Sequence, residues 1–140
     1  MSHHVHKVSA FSLTMEDRVG ALLKVTEDLV GHGVNLRALW AWAGEEGTAQ
    51  AIFVPEDPAL VARCGCQTCR AAQAMNVLWV DVADRMGILR ENLAKLAAAG
   101  INIHAVQAVG LSGQAAAVFA FADDAALDKA LAALEGCCAG

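Results

Sequence analysis

Two sets of residues in this chain carry groups able to do chemistry. The first is Cys64-Gly65-Cys66-Gln67-Thr68-Cys69, three thiols within one short segment. Thiolates that converge can hold a soft cation such as zinc. Small buried thiols also serve as ordinary core residues, and both readings stand for Cys64, Cys66 and Cys69. Cys66 and Cys69 form a C-x-x-C, but without the βαβ context of a redox fold. A fourth ligand is not evident, although Cys137 and Cys138 sit near the matching end of the chain's second half.

The second set is a pair of short segments, each present twice. Asp17-Arg18-Val19-Gly20 reappears as Asp84-Arg85-Met86-Gly87, and Gly33-Val34-Asn35-Leu36 as Gly100-Ile101-Asn102-Ile103, 67 residues on in each case. Their chemistry suits a zwitterion. An Asp carboxylate can meet an ammonium group, and an Asn amide can donate and accept. A helix start offers free N–H groups and the positive end of a dipole to a carboxylate. Glycine leaves that backbone open to approach. The plainer alternatives are that Asp17 and Asp84 cap helices, that the glycines allow close packing, and that Asn35 and Asn102 stabilise turns.

The duplication dictates the elements that must position these residues. In the first copy, alternation over 8–15 puts Phe11, Leu13 and Met15 on one face of a strand. In the second, Leu78, Val80 and Val82 match them, with Trp79 and Asp81 opposite. A helix follows over 18–32, with the stripe Leu22, Thr26, Leu29 matched by Leu89, Leu93, Leu96. Strands over 34–43 and 49–54 form a hairpin around Gly44–Gly47, and their counterparts cover 101–109 and 115–121. A second helix begins at Asp57-Pro58, with Pro suited to the first helical position, and its counterpart begins at Asp123 or Asp124. Each copy thus reads β-α-β-β-α, the split ferredoxin-like order lacking its last strand. The space for that strand is cramped in copy one, and in copy two there is none, so either the fourth strands are missing or another segment takes their place in the sheet.

The expected fold class is therefore α+β: two tandem βαββαβ units, antiparallel sheets with helices on one face, a short arm at 1–7, and repeats at 8–74 and 75–140. The sequence is 56% hydrophobic, above the roughly 45–50% usual for globular domains. With Trp40, Trp42 and Trp79, this points to surface for self-association, and a homodimer is expected. The net charge of −5 and the lack of a basic stripe argue against nucleic acid. No apolar run approaches the ~18 residues of a membrane span. MSHHVHK at the start has no apolar signal core, so cytoplasm is expected. No Walker loop, G-x-S-x-G or other catalytic set occurs, so the reading is a binding protein and not an enzyme.

D-R-x-G, an apolar helix, and G-[VI]-N-[LI] at a set distance resemble the ACT domain, a small regulatory module of amino-acid metabolism. The likeness spans both copies, 8–54 and 76–134. It implies a βαββαβ fold, side-by-side pairing of units, a free amino acid as ligand, and a regulated enzyme or regulator as partner. The implied site is the strand-to-helix loop of one unit and the strand-opening Asn of its neighbour: Asp17, Arg18, Val19, Gly20 and Asn35, with Asp84, Arg85, Met86, Gly87 and Asn102. The serine-binding members carry H-x-N-x-P-G in that loop. Here Met15 or Val82 replaces the His and Asp17 or Asp84 the Asn, which counts against serine.

Overall fold

A computed structural model describes residues 4–135. Its elements are β1 (His4–Glu16), α1 (Ala21–Gly31), β2 (Leu36–Ala43), β3 (Thr48–Pro55), α2 (Pro58–Arg63), α3 (Gln67–Ala71), β4 (Gln73–Ala83), α4 (Ile88–Ala98), β5 (Ala105–Leu111), β6 (Gln114–Ala120) and α5 (Asp124–Glu135). They fall into two compact units. The N-terminal unit is Ser9–Met75. The C-terminal unit takes in 76–135 together with 4–8.

Within the N-terminal unit the strand order is β2-β3-β1, all antiparallel, with Phe11 opposite Phe53 and Trp40 opposite Ile52. Phe11, Leu13 and Phe53 pack against Val25 and Leu29 of α1, Val61 of α2 and Cys69 of α3. Both helical layers therefore cover one sheet face, as the β-α-β-β-α order requires. The C-terminal unit repeats this, with order β4-β6-β5 and Leu78 opposite Phe119. Its core joins Leu78, Val80 and Phe119 to Leu96 of α4 and Leu127, Ala130 and Leu134 of α5.

The ends of the elements follow from local chemistry. Asp57 caps α2, its carboxylate accepting from Ala59 N at 3.0 Å, with Pro58 in the first turn. Asp123 does the same for α5 through Ala126 N at 2.8 Å. The β5–β6 turn is Ser112-Gly113, both at positive φ (53° and 80°). That is the two-residue geometry whose twist matches the flanking strands. The N-terminal unit uses the longer Gly44–Gly47 loop.

Several sequence expectations are corrected. Asp17 and Asp84 do not cap α1 and α4. The cap positions are Gly20 and Gly87, at φ 86° and 88°, with no side-chain cap bond. Each Asp instead extends the strand before it, its N–H donating to Gly47 O or Gly113 O at 2.9 Å. The buried helix stripes keep Leu29 and Leu96 as expected, but their other members lie one residue earlier: Ala21 and Val25 in α1, Ile88 and Asn92 in α4. Leu22 and Leu89 are exposed. The second strand of the C-terminal unit begins at Ala105, later than expected. Of the tryptophans, Trp42 is exposed but Trp79 is buried, its indole N–H donating to Asp81 at 2.8 Å.

Residues 4–7, expected as an arm, are strand. Val5 packs against the C-terminal core and Lys7 pairs with Asp128 at 3.2 Å. The fourth-strand shortage has the same answer. Residues 4–8 of β1 count with the C-terminal unit, and 73–75 of β4 with the N-terminal one. Residues 1–3 and the pair Cys137-Cys138 lie outside the described residues.

Candidate functional site

The two units carry matching hollows between the start of the first helix and the β-hairpin. In the C-terminal unit the walls are Val80 and Val82 of β4, Ile88 and Leu89 of α4, and the small residues Ala108, Gly110, Ala115 and Ala117 of the hairpin. A run of residues this small facing a helix cannot fill the gap, so a cavity of about 210 Å³ remains. In the N-terminal unit the matching hollow is lined by Met15, Asp17, Arg18, Ala21, Leu22, Ala41, Trp42, Ala43 and Ala49, with about 220 Å³.

Polar groups distinguish the two. Asn92 lines the C-terminal cavity and is only 2% exposed. Its amide N–H₂ donates to Ile88 O at 2.9 Å, four residues back. That carbonyl can only accept, which fixes the amide's orientation and leaves Oδ1 buried with no hydrogen bond among the described residues. Such an acceptor costs about 1–3 kcal/mol if nothing meets it. The N-terminal unit has Val25 at this position, part of its apolar core.

Asp84 also lines the C-terminal cavity. Its carboxylate lies over Gly110, so close that a Cβ on Gly110 would stand 2.8 Å from Oδ2. The N-terminal unit has Ala43 there, and a carboxylate in the same place would meet a methyl group. One cavity thus combines an anionic mouth, a buried amide oxygen and apolar walls beside an uncapped helix start. The other keeps Asp17 and the apolar walls but lacks the buried acceptor.

Among the remaining residues of the expected ligand site, Arg18 lines the N-terminal hollow and pairs with Glu16 at 2.9 Å. Arg85 pairs with Glu91 of α4. Val19 and Met86 project into solvent, each 99% exposed, and Gly20 and Gly87 serve the helix turns. Asn35 and Asn102 stand beyond the far ends of α1 and α4, so within one unit neither meets the Asp of its own repeat. Asn35 O accepts from Glu56 N at 2.8 Å. Asn102 borders a different hollow with His104 and Lys129. Asn92 and Gly110 were missed by sequence reasoning. The signal available was an Asn in an apolar helix stripe where the other copy has Val.

Cys64, Cys66 and Cys69 are free thiols around the break between α2 and α3. Burial, with the hydrogen bonds of its neighbours, pushes the Cys69 thiol far up. Burial also pushes Cys64 up, but hydrogen bonds from Cys66 and Cys69 outweigh it and bring that thiol below its usual range. No helix among the described residues is long and apolar enough to cross a membrane.

No family model and no curated protein matches the sequence. Solved structures do. Protein BT0572 from Bacteroides thetaiotaomicron superposes with TM-score 0.76 at 20% identity, over 94% of this chain and 88% of that one. The regulatory subunit of aspartate kinase from Thermus thermophilus, in its ligand-free form, gives 0.61 at 13% identity, over 94% and 96%. The same subunit from Thermus flavus gives 0.60 at 15%, over 96% and 95%. The chain therefore has the fold of the aspartate kinase regulatory subunits, the ACT-type fold that its paired D-R-x-G and G-[VI]-N-[LI] segments resemble.

Proposed function

We propose that this protein is a regulatory module that binds a small amino acid in the C-terminal cavity. The observation that carries the reading is that Asn92, whose buried Oδ1 has no hydrogen-bond partner among the described residues, lines the same cavity as Asp84. Both are acceptors, and an ammonium group supplies the donors they want. The uncapped start of α4 suits the ligand's carboxylate. The apolar walls suit an aliphatic side chain. At about 210 Å³ the cavity is smaller than the roughly 300–1,000 Å³ of drug-sized pockets, which favours a compact ligand.

Regulation follows the pattern of the similar structures, which are regulatory subunits of a kinase. In this reading the chain acts on a separate enzyme or regulator and pairs with a second copy of itself. The exposed Val106, Val109 and Leu111 on β5, last in its unit's strand order, support that pairing. A thermal-melting screen against the free amino acids tests the ligand. A binder at 100 times its Kd adds about 2.7 kcal/mol of stability. An unmoved transition with every amino acid overturns the reading.

A further inference from the structure

The cysteine segment has a partner that the sequence did not reveal. Cys64 and Cys66 Sγ lie 3.0 Å apart. The backbone N–H of Cys69 donates to Cys66 Sγ at 3.4 Å. His32, at the end of α1, brings a ring nitrogen to the same place: the ligand atoms of His32, Cys64 and Cys66 all lie within 4.8 Å of one another. His32 Nδ1 is 2.9 Å from Asp28 O. That carbonyl accepts only, so Nδ1 carries the proton and Nε2 keeps its lone pair. A ring nitrogen held by a backbone carbonyl is the usual support for a metal-binding imidazole.

The local backbone is arranged for this convergence. In a continuous helix, residues two apart point to nearly opposite sides. Here Cys64 and Cys66 are both extended, at φ −69°, ψ 128° and φ −70°, ψ 163°, and in extended chain residues two apart point the same way. The other repeat has Ala99, Ala130, Ala132 and Glu135 at the four positions, and its helix α5 runs unbroken. The helix break, the histidine and the thiols thus occur together in one copy, and none of them stands at the matching positions of the other. A second tie holds the two sides in place, the Thr68 hydroxyl donating to Asp28 of α1 at 2.8 Å.

We propose that His32, Cys64, Cys66 and Cys69 form a Cys₃His site for zinc or a similar soft divalent cation. Four protein ligands close the tetrahedron, which makes the site structural, clamping α3 to the end of α1. Bond lengths of about 2.0–2.3 Å set neighbouring ligand atoms within about 4 Å of each other, close to the present spacing of His32, Cys64 and Cys66; Cys69, whose backbone N–H already meets Cys66 Sγ, lies outside that group and would move in as the fourth ligand. This site lies apart from the proposed amino-acid cavity and does not depend on it.

The test is cobalt titration of the reduced, anaerobically purified full chain, followed by zinc competition. The expected result is one Co²⁺ per chain with thiolate charge-transfer bands and the intense visible absorption of a tetrahedral site, displaced by one equivalent of Zn²⁺. Cys66→Ser loses about a third of the charge-transfer intensity per bound Co²⁺ and binds about tenfold or more weakly. His32→Ala keeps the charge-transfer bands, shifts the visible bands, and binds about tenfold or more weakly, as loss of one of four ligands requires. His32 is exposed, so this variant stays folded even if Cys66→Ser does not. No uptake by the wild type overturns the site. So does undiminished affinity with unchanged charge-transfer intensity in a folded Cys66→Ser, or an unchanged visible spectrum in His32→Ala.

Discussion

The Oδ2 of Asp84 rests over the bare backbone of Gly110, where a Cβ would stand 2.8 Å away. This packing turns a loop carboxylate toward the cavity that Asn92 lines. Gly110→Ala is expected to push the carboxylate aside and weaken ligand binding severalfold, with a smaller effect on unfolding. Calorimetric titration of wild type and variant with the amino acid found in the melting screen checks it. Equal affinity would detach Asp84 from the ligand.

Asn92→Val installs the residue that the N-terminal repeat uses at this position. It removes a buried acceptor without a partner and is expected to stabilise the ligand-free protein by about 1–3 kcal/mol. It should also abolish the ligand-induced rise in melting temperature. Urea unfolding with and without ligand reads both effects. A variant that still responds to ligand shows that Asn92 makes no contact with it.

The tie between Asp28, Lys24 and Thr68 has a definite acid signature. Hydrogen bonds, first from Lys24 and then from Thr68, hold the Asp28 carboxyl below its ordinary value of 3.8. As acid is added, the unfolded chain takes up this proton before the folded one does. The tie's contribution is therefore complete above pH 3.8 and fades as the pH falls through the lower folded value. Asp28→Asn should flatten the fall in urea midpoint on acidification below about pH 5. An unchanged slope would show that the tie adds nothing to the acid response.

Removing residues 1–7 is expected to loosen the C-terminal unit and not the N-terminal one. Val5 packs against the core of Leu78, Phe119 and Leu134, and Lys7 pairs with Asp128. Val5→Ala alone should cost about 1 kcal/mol, a partly buried loss of two methyl groups. Hydrogen exchange resolved by residue checks where protection is lost. Loss confined to 9–75 contradicts the assignment.

Much of the fold was legible because the repeat displays each element twice, so Phe53 and Phe119 or Gly33 and Gly100 vouch for one another. The helix phase was not. Leu89, Leu93 and Leu96 make a persuasive stripe, but a left-handed glycine sets where the helix begins, and spacing alone cannot locate that start. Asn92 was hidden because a polar residue among the leucines does not announce from sequence that its side chain is buried. His32 was not legible as a partner of the cysteines, because its distance from them in sequence gives no hint of their meeting. The fourth strands were illegible because a segment of β1 completes the core of the other repeat.

That exchange has a consequence for how the molecule can be taken apart. A gene cut at the repeat boundary yields a second half missing the segment around Val5 and a first half missing 73–75 or carrying it without its own continuation. Each half cut at that boundary therefore parts with residues that belong to its own compact unit.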